Sequence, residues 1–383
     1  MDSAPPQHAE DTPRGLDAVI VGSIGVVAHC SRLQWRCFNQ ALCEFRDSGE
    51  LIIPAKLDAA PEDHGSLEEE EILWPREQYI ASLTSTGGAK RLREFFSNNY
   101  AVEDETNLSD ELCARIHHRK SEIFAERIYQ IKLNGATTAP EVQFSLRPGV
   151  LAFLRAARRN NVKVGFCAPT ERVVIDAFLD VLNLRDLFDV YITADDRGVR
   201  YPDKGKPEPD CYQYVVGQLF ASPAVEDSST GQQHDGSGLP EQTPTPPENP
   251  AALEEVIKTK SLLALEDTWI SMQSPLAAGI PTLALPSEWA VGQDFTQALS
   301  CCAELPDLVT EAEAITNGFV KASVSDNQIF PQRSASSMAS DSTIDRSDVS
   351  YPVEPLDNQL GDKLLSAAGR ILFEKADRTG RAT

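Results

Sequence analysis

The chain has 383 residues, 41% of them apolar, and a formal charge of −23. That length holds two domains, or one with a large insertion. So acidic a balance argues against nucleic acid or an anionic membrane surface as partner, and no apolar run approaches the ~18 residues that span a bilayer.

Residues 1–14 are Pro-rich and acidic and read as disordered. They lack the apolar core of a secretory signal and the Arg-rich bias of a transit peptide, so either the protein stays where it is made or a leader has been removed. Leu16–Val21 is a short β-branched run that predicts a buried parallel strand. From Ser31 to Phe45 apolar residues recur at helical spacing, and Trp74 to Lys132 reads as mostly helical. Ser109 is placed to cap its longest helix, with Asp110 and Glu111 in the first turn.

From Val150 the pattern changes. A helix over Val150–Asn160 precedes a strand over Val162–Ala168; a helix over Glu171–Leu182 precedes a strand over Val190–Thr193. Later, Ser261–Asp267 reads as a strand, "WISMQSPLAAG" as a helix and "PTLALP" as a strand. Alternating strands and helices predict a doubly wound α/β parallel sheet, and the helical block after the first strand predicts an inserted cap domain. The expected division is a core of 15–30 and 147–316, a cap of 31–146, a disordered insertion at 221–250, a disordered Ser/Asp-rich tail at 317–361 and a C-terminal helix at 362–377. That helix carries a stripe of Leu364, Leu365, Ala368, Ile371 and Leu372, suited to docking on the core or to a protein partner.

Eight cysteines, none with CxxC spacing, read as buried thiols in a reducing compartment, cytoplasm or plastid, rather than as disulfides or a zinc site. Glu68–Glu71 reads as solvated surface.

The first strand ends in Gly22-Ser23-Ile24-Gly25. A dinucleotide site would need G-x-G-x-x-G and an acidic residue about 20 positions on, and neither is present. In a doubly wound sheet ligands sit at the carboxyl ends of the strands. The other strand ends carry Ala168-Pro169-Thr170, the loop "YPDKGKPEPDCY" with Lys204 and Lys206, and Glu266-Asp267.

In order, "GKPEPDCY", "ALEDTWISMQSPLAAGIP", "LRPGV", "TGGAKRLREFF" and "IHHRKSEIFAERI" resemble segments of the haloacid dehalogenase superfamily, in its CbbY-like branch of sugar-bisphosphate phosphatases. The resemblance covers Leu16 to Asp307 and implies a Rossmannoid sheet with a helical cap. It also implies Asp-x-Asp-Gly at the first strand end: an aspartyl nucleophile, an aspartic acid/base and Mg²⁺ between them and the fourth strand. Here those two positions are Gly22 and Ile24, which implies a catalytically inactive member acting by binding, as scaffold or sensor. Mg²⁺ would bind only through a residual site of Asp267 and Glu266.

The resemblance leaves Lys206, Thr170 and Ser23 as phosphate-binding candidates and His117, His118 and Lys120 as cap contacts to a phosphorylated small molecule. Each has a plainer alternative: Lys206 as a surface lysine, Asp267 as a helix cap, and the cap trio as a basic surface face. The rival function is an active hydrolase with a relocated carboxylate, Asp17, Asp195 or Asp203, of which Asp17 precedes the first strand and belongs at the far end of the sheet.

Overall fold

The computed structural model describes residues 15–52, 72–85, 87–99, 109–133, 144–202, 204–221, 250–290, 292–316 and 358–378. The segments 1–14, 222–249 and 317–357, expected to be disordered, lie outside the described residues, as does Glu68–Glu71.

Strand β1 (Ala18–Val21) leads through a single helical turn, α1 (Ile24–Val27), into β2 (Ala28–His29). Helices α2 (Ser31–Asp47), α3 (Arg76–Ser82), α4 (Gly88–Asn99) and α5 (Asp110–Leu133) form the cap. As expected, Ser109 caps α5: its Oγ accepts the Leu112 amide at 3.0 Å. The chain returns through β3 (Ser145–Leu146), which pairs antiparallel with β2. This two-stranded ribbon carries the chain out to the cap and back, and places Ser145 and Leu146 in the connection.

The core continues with α6 (Val150–Arg159), β4 (Lys163–Cys167), α7 (Arg172–Val181), β5 (Val190–Ile192), α8 (Asp210–Phe220) and α9 (Pro250–Thr259). Then come β6 (Leu262–Glu266), α10 (Trp269–Ala277), β7 (Thr282–Ala284), β8 (Ser300–Cys301), α11 (Asp307–Thr316) and α12 (Asn358–Arg378). Two boundaries need correction. Pro250, assigned to the insertion, opens helix α9, where its missing N–H costs nothing. Residues 358–361, assigned to the tail, are the first turn of α12.

The sheet is parallel and ordered β5-β4-β1-β6-β7-β8. Strand alternation builds its two layers. Val19 and Val21, with Val164, Phe166, Leu263 and Leu265, face α6 and α7; Ala18 and Ile20, with Ala264, face α8. On the second face a β-carbon on Gly165 would lie 2.5 Å from Val215 Cγ1, so glycine lets α8 approach. The strand order turns at β1, flanked by β4 and β6, so the crevice at their carboxyl ends is where this architecture places a ligand.

The stripe on α12 docks: Leu364, Ala368, Ile371 and Leu372 are buried in the main core, and α12 packs on α6 and α11.

Candidate functional site

Gly22 ends β1, its amide bonded to the Leu265 carbonyl at 2.9 Å. A β-carbon there would lie 2.2 Å from Glu266 Cδ and 2.3 Å from Oε1. The carboxylate at the end of β6 therefore fills the volume that a side chain at position 22 would need. Ile24 is buried in the apolar core, so the second position of the turn presents hydrocarbon.

Lys206 is neither a surface lysine nor free for an anion. It is 4% exposed, and its Nζ donates to Glu266 Oε1 at 2.5 Å and to the Gly22 carbonyl at 2.7 Å. The Tyr212 hydroxyl donates to the same Oε1 at 2.6 Å. Burial by itself would lower the Lys206 ammonium, but Glu266 beside it carries the group above its ordinary range. Burial pushes the Glu266 carboxyl up against the pull of Lys206. Its Oε2 is buried without a hydrogen-bond partner.

Asp267 does not cap the next helix. Thr268 holds that position, with no side-chain cap bond. Asp267 Oδ1 instead accepts the Ser23 hydroxyl at 2.8 Å, and a β-carbon on Gly25 would lie 1.9 Å from Oδ2. Burial pushes this carboxyl up too, opposed by the Ser23 bond. Ser23 Oγ also receives the Val26 amide at 3.3 Å, so the hydroxyl is spent on α1 and Asp267. Among the described residues, no group of three His, Cys, Asp or Glu side chains is placed to hold a metal ion.

Arg147, within the "LRPGV" segment, was not singled out by sequence. Its guanidinium is buried and donates to the carbonyls of Gly25 (3.2 Å), Leu285 (2.6 Å), Pro286 (3.2 Å) and Ala303, and its Nε to Glu304 (3.2 Å). A planar fork of five donors suits this cluster as an ammonium would not. It ties the glycine turn to the loops after β7 and β8.

The cap trio separates into two roles. His117 and His118 meet the core: their Nδ1 atoms lie 3.1 and 3.0 Å from the two oxygens of Glu171, which precedes α7. Glu171 is released from capping α7 because Asp195 Oδ2 accepts the Arg172 amide at 2.5 Å. Lys120 belongs to no surface face; it is 3% exposed, over the rings of Phe38 (5.1 Å) and Phe124 (5.5 Å), with Gln34 Oε1 at 3.2 Å. Burial brings its ammonium down to about 8. Beside it Arg91, from α4, lies over Phe38 at 6.0 Å and Tyr79 at 5.4 Å, and its Nε is buried without a hydrogen-bond partner. Sequence reasoning passed over Arg91, although it lies in the quoted segment "TGGAKRLREFF".

Thr170, two residues past β4, is half-buried, and its carbonyl accepts the Ala194 amide at 2.9 Å. Of the relocated carboxylates, Asp17 lies at the opposite end of β1, its Oδ2 on the Ser261 amide at 2.8 Å. Asp195 is committed to α7, and Asp203 lies outside the described residues.

A family model described as haloacid dehalogenase-like hydrolase matches residues 54–230. Protein CbbY of Rhodobacter capsulatus is 24% identical over 242 residues, 62% of this chain and 82% of that protein. The chain is thus similar to haloacid dehalogenase-like hydrolases and, among them, to CbbY proteins. A CBBY-like protein of Arabidopsis thaliana is 27% identical over 169 residues, 42% of this chain and 48% of that protein. In three dimensions the chain is similar to a CbbY mutant from Rhodobacter sphaeroides, crystallised with xylulose-1,5-bisphosphate: TM-score 0.50, 19% identity, 76% of this chain and 94% of that one. At that identity the likeness shows the haloacid dehalogenase-like fold.

Proposed function

We propose that this member of a phosphatase family is catalytically inactive and holds a phosphorylated small molecule between cap and core. The observation that carries the first half is the Glu266 carboxylate in the space of a side chain at position 22, locked by Lys206 and Tyr212. A phosphoryl group at that strand end meets glycine where a nucleophile would stand and isoleucine where a proton donor would stand. Ser23, the remaining hydroxyl there, donates to Asp267 and accepts the Val26 amide, which commits it to the turn.

The donor set does not suit Mg²⁺. A hard dication takes about six oxygens, several of them anionic. Here one Glu266 oxygen is neutralised by an ammonium, one Asp267 oxygen is tied to Ser23, and position 22 offers no carboxylate.

Anion binding moves to the cap side of the cleft. Lys120 has an amide oxygen and two ring faces as its polar surroundings, and Arg91 has an orphaned Nε; the nearby Glu171 is already held by His117 and His118. A buried ammonium such as that of Lys120, without a carboxylate partner, is costly unless a ligand supplies the missing charge. The solved relative was crystallised with a sugar bisphosphate, and we carry that ligand class to this chain.

Two measurements test the reading. Phosphate release from xylulose-1,5-bisphosphate with Mg²⁺ is expected to stay at the buffer rate; saturable turnover, lost in Asp195→Ala, would establish the relocated-carboxylate hydrolase instead. The same compound is expected to raise the melting temperature with concentration, as any ligand selective for the native state does. A flat response would remove the binding half.

A further inference from the structure

One joint between cap and core is aromatic. Trp289 belongs to the core loop that follows β7. Its ring meets Trp35 of α2 edge-on at 6.1 Å and Tyr79 of α3 edge-on at 5.7 Å, and the Arg76 guanidinium of α3 covers it at 5.3 Å. A core tryptophan is thus enclosed by cap side chains and left 5% exposed.

Both halves of the joint are fixed before they meet. On the core side Arg147 takes the Leu285 and Pro286 carbonyls, the Ser287 amide donates to the Asp267 carbonyl at 3.1 Å, and the Ala290 amide donates to the Ser287 carbonyl at 2.9 Å. On the cap side Trp35 Nε1 donates to the Trp74 carbonyl at 2.7 Å, Asn39 Oδ1 accepts the Trp74 amide at 2.8 Å, and the Trp74 ring packs on Tyr79 at 5.1 Å. Two preformed surfaces give up little freedom on docking.

The sheet order puts this joint across β1 from the histidine clasp. Trp289 follows β7 on one side; Glu171, held by His117 and His118, follows β4 on the other. Ser23 and Asp267 of the core and Lys120 of the cap are all buried between them. Cys30, which precedes α2, shares that space. It is 2% exposed, its sulfur accepts Gln34 Nε2 at 3.5 Å, and Gln34 Oε1 in turn holds Lys120.

We propose that Trp289 is a latch: seated between Trp35 and Tyr79, it keeps the cap shut over the strand ends until the ring withdraws. The contact is autoinhibitory. Any ligand of the cleft binds only the fraction of molecules that are open, and its apparent affinity falls by that fraction. The joint consists of this chain's own side chains, so the latch stands or falls independently of the anion-binding reading, and its test uses no ligand.

The reporter is Cys30. The full chain is treated with N-ethylmaleimide without denaturant, and the labelling rate of each cysteine is read by peptide mass. Trp289→Ala removes two aromatic pairs and a cation–π contact, each worth a factor of about 2–10. Labelling of Cys30 is expected to rise about tenfold or more, while Cys167 and Cys211, buried between the sheet and α8, keep their wild-type rates. An unchanged Cys30 rate overturns the latch. So does an equal acceleration of Cys30, Cys167 and Cys211, which would make Trp289 a general stability contact. Arg76→Ala carries the same comparison should Trp289→Ala not fold, because Arg76 is an exposed residue that touches the ring from the cap. It is expected to raise Cys30 labelling about two- to fivefold, and a wild-type rate there overturns the proposal equally.

Discussion

A β-carbon on residue 22 and the Cδ of Glu266 would lie 2.2 Å apart, so the tip of β1 and the carboxylate of β6 compete for one volume. Glycine yields that volume, and Glu266 brings Lys206 and Tyr212 to it. Removing the carboxylate strands a buried ammonium. We expect Glu266→Ala to lose about 3–5 kcal/mol, the range for breaking a buried ion pair. Adding Gly22→Asp to that variant returns a carboxylate to the vacated space beside Lys206, and is expected to recover about 1–2 kcal/mol of it. Gly22→Asp alone forces Glu266 aside and destabilises. Urea denaturation of the four proteins in a double-mutant cycle reads this coupling; additive losses would refute it.

The cap–core clasp predicts a pH dependence. Burial pushes Glu171 up, but the bonds from His117 and then His118 outweigh it and hold the carboxyl down to about 2, from an ordinary 4.5. Its folded-state value is therefore depressed. The stabilisation is fully present above pH 4.5 and is lost as pH falls toward 2. Glu171→Gln removes the charge and should flatten that part of the profile. The check is the urea midpoint of both proteins from pH 6 down to where the wild type unfolds. Parallel curves would mean that the clasp contributes nothing.

Much of the core was legible in the sequence because its signals are local. Val19 and Val21 alternate with Ala18 and Ile20, Ser109 stands before Asp110 and Glu111, and the α12 stripe has helical period; each element follows from neighbours a few positions apart. What was missed lies in distant pairings. Lys206 and Glu266 each look available in sequence, and only their approach across 60 positions shows that each consumes the other. Lys120 looks like a surface lysine beside two histidines, yet the rings of Phe38 and Phe124 enclose it. Pro250, the first residue of α9, was assigned to the disordered stretch because it was taken with the prolines before it rather than as a first helical residue.

Lys120 separates binding from stability. Its ammonium is brought down to about 8 from 10.5 by burial, so charging it in the native state costs about 3 kcal/mol at neutral pH. The sign follows from linkage: the unfolded chain binds this proton more tightly, so the wild type gains stability as pH rises from 8 to 10.5. Lys120→Met keeps the stem and drops the charge. Allowing for lost ring contacts of about 0.5–2 kcal/mol each, the variant is expected to melt higher than wild type without ligand at pH 7. Its thermal response to xylulose-1,5-bisphosphate should vanish. A variant that loses stability and retains the response would place the anion elsewhere.

Helix α12 packs on α6 with Gly361 set against that helix's backbone. A β-carbon on Gly361 would lie 2.4 Å from the Ala152 carbonyl oxygen and 3.1 Å from Ala156 Cβ. The obstacle is helix backbone, which cannot rotate away as a side-chain end does, so any larger residue pushes the two axes apart. Leu364, Ala368, Ile371 and Leu372 lie C-terminal to that point and depend on the close approach for their burial. In a solvated helix, Gly→Ala would stabilise by about 1 kcal/mol. Here Gly361→Ala is expected to lose about 1–3 kcal/mol through overpacking, and Gly361→Val more. Hydrogen exchange should locate the effect: amides of α12 lose protection in Gly361→Val while those of β1 and β6 keep theirs. Equal loss in both places would mean that α12 is part of one cooperative unit with the sheet, whereas a gain in stability would show that the helix has room to shift.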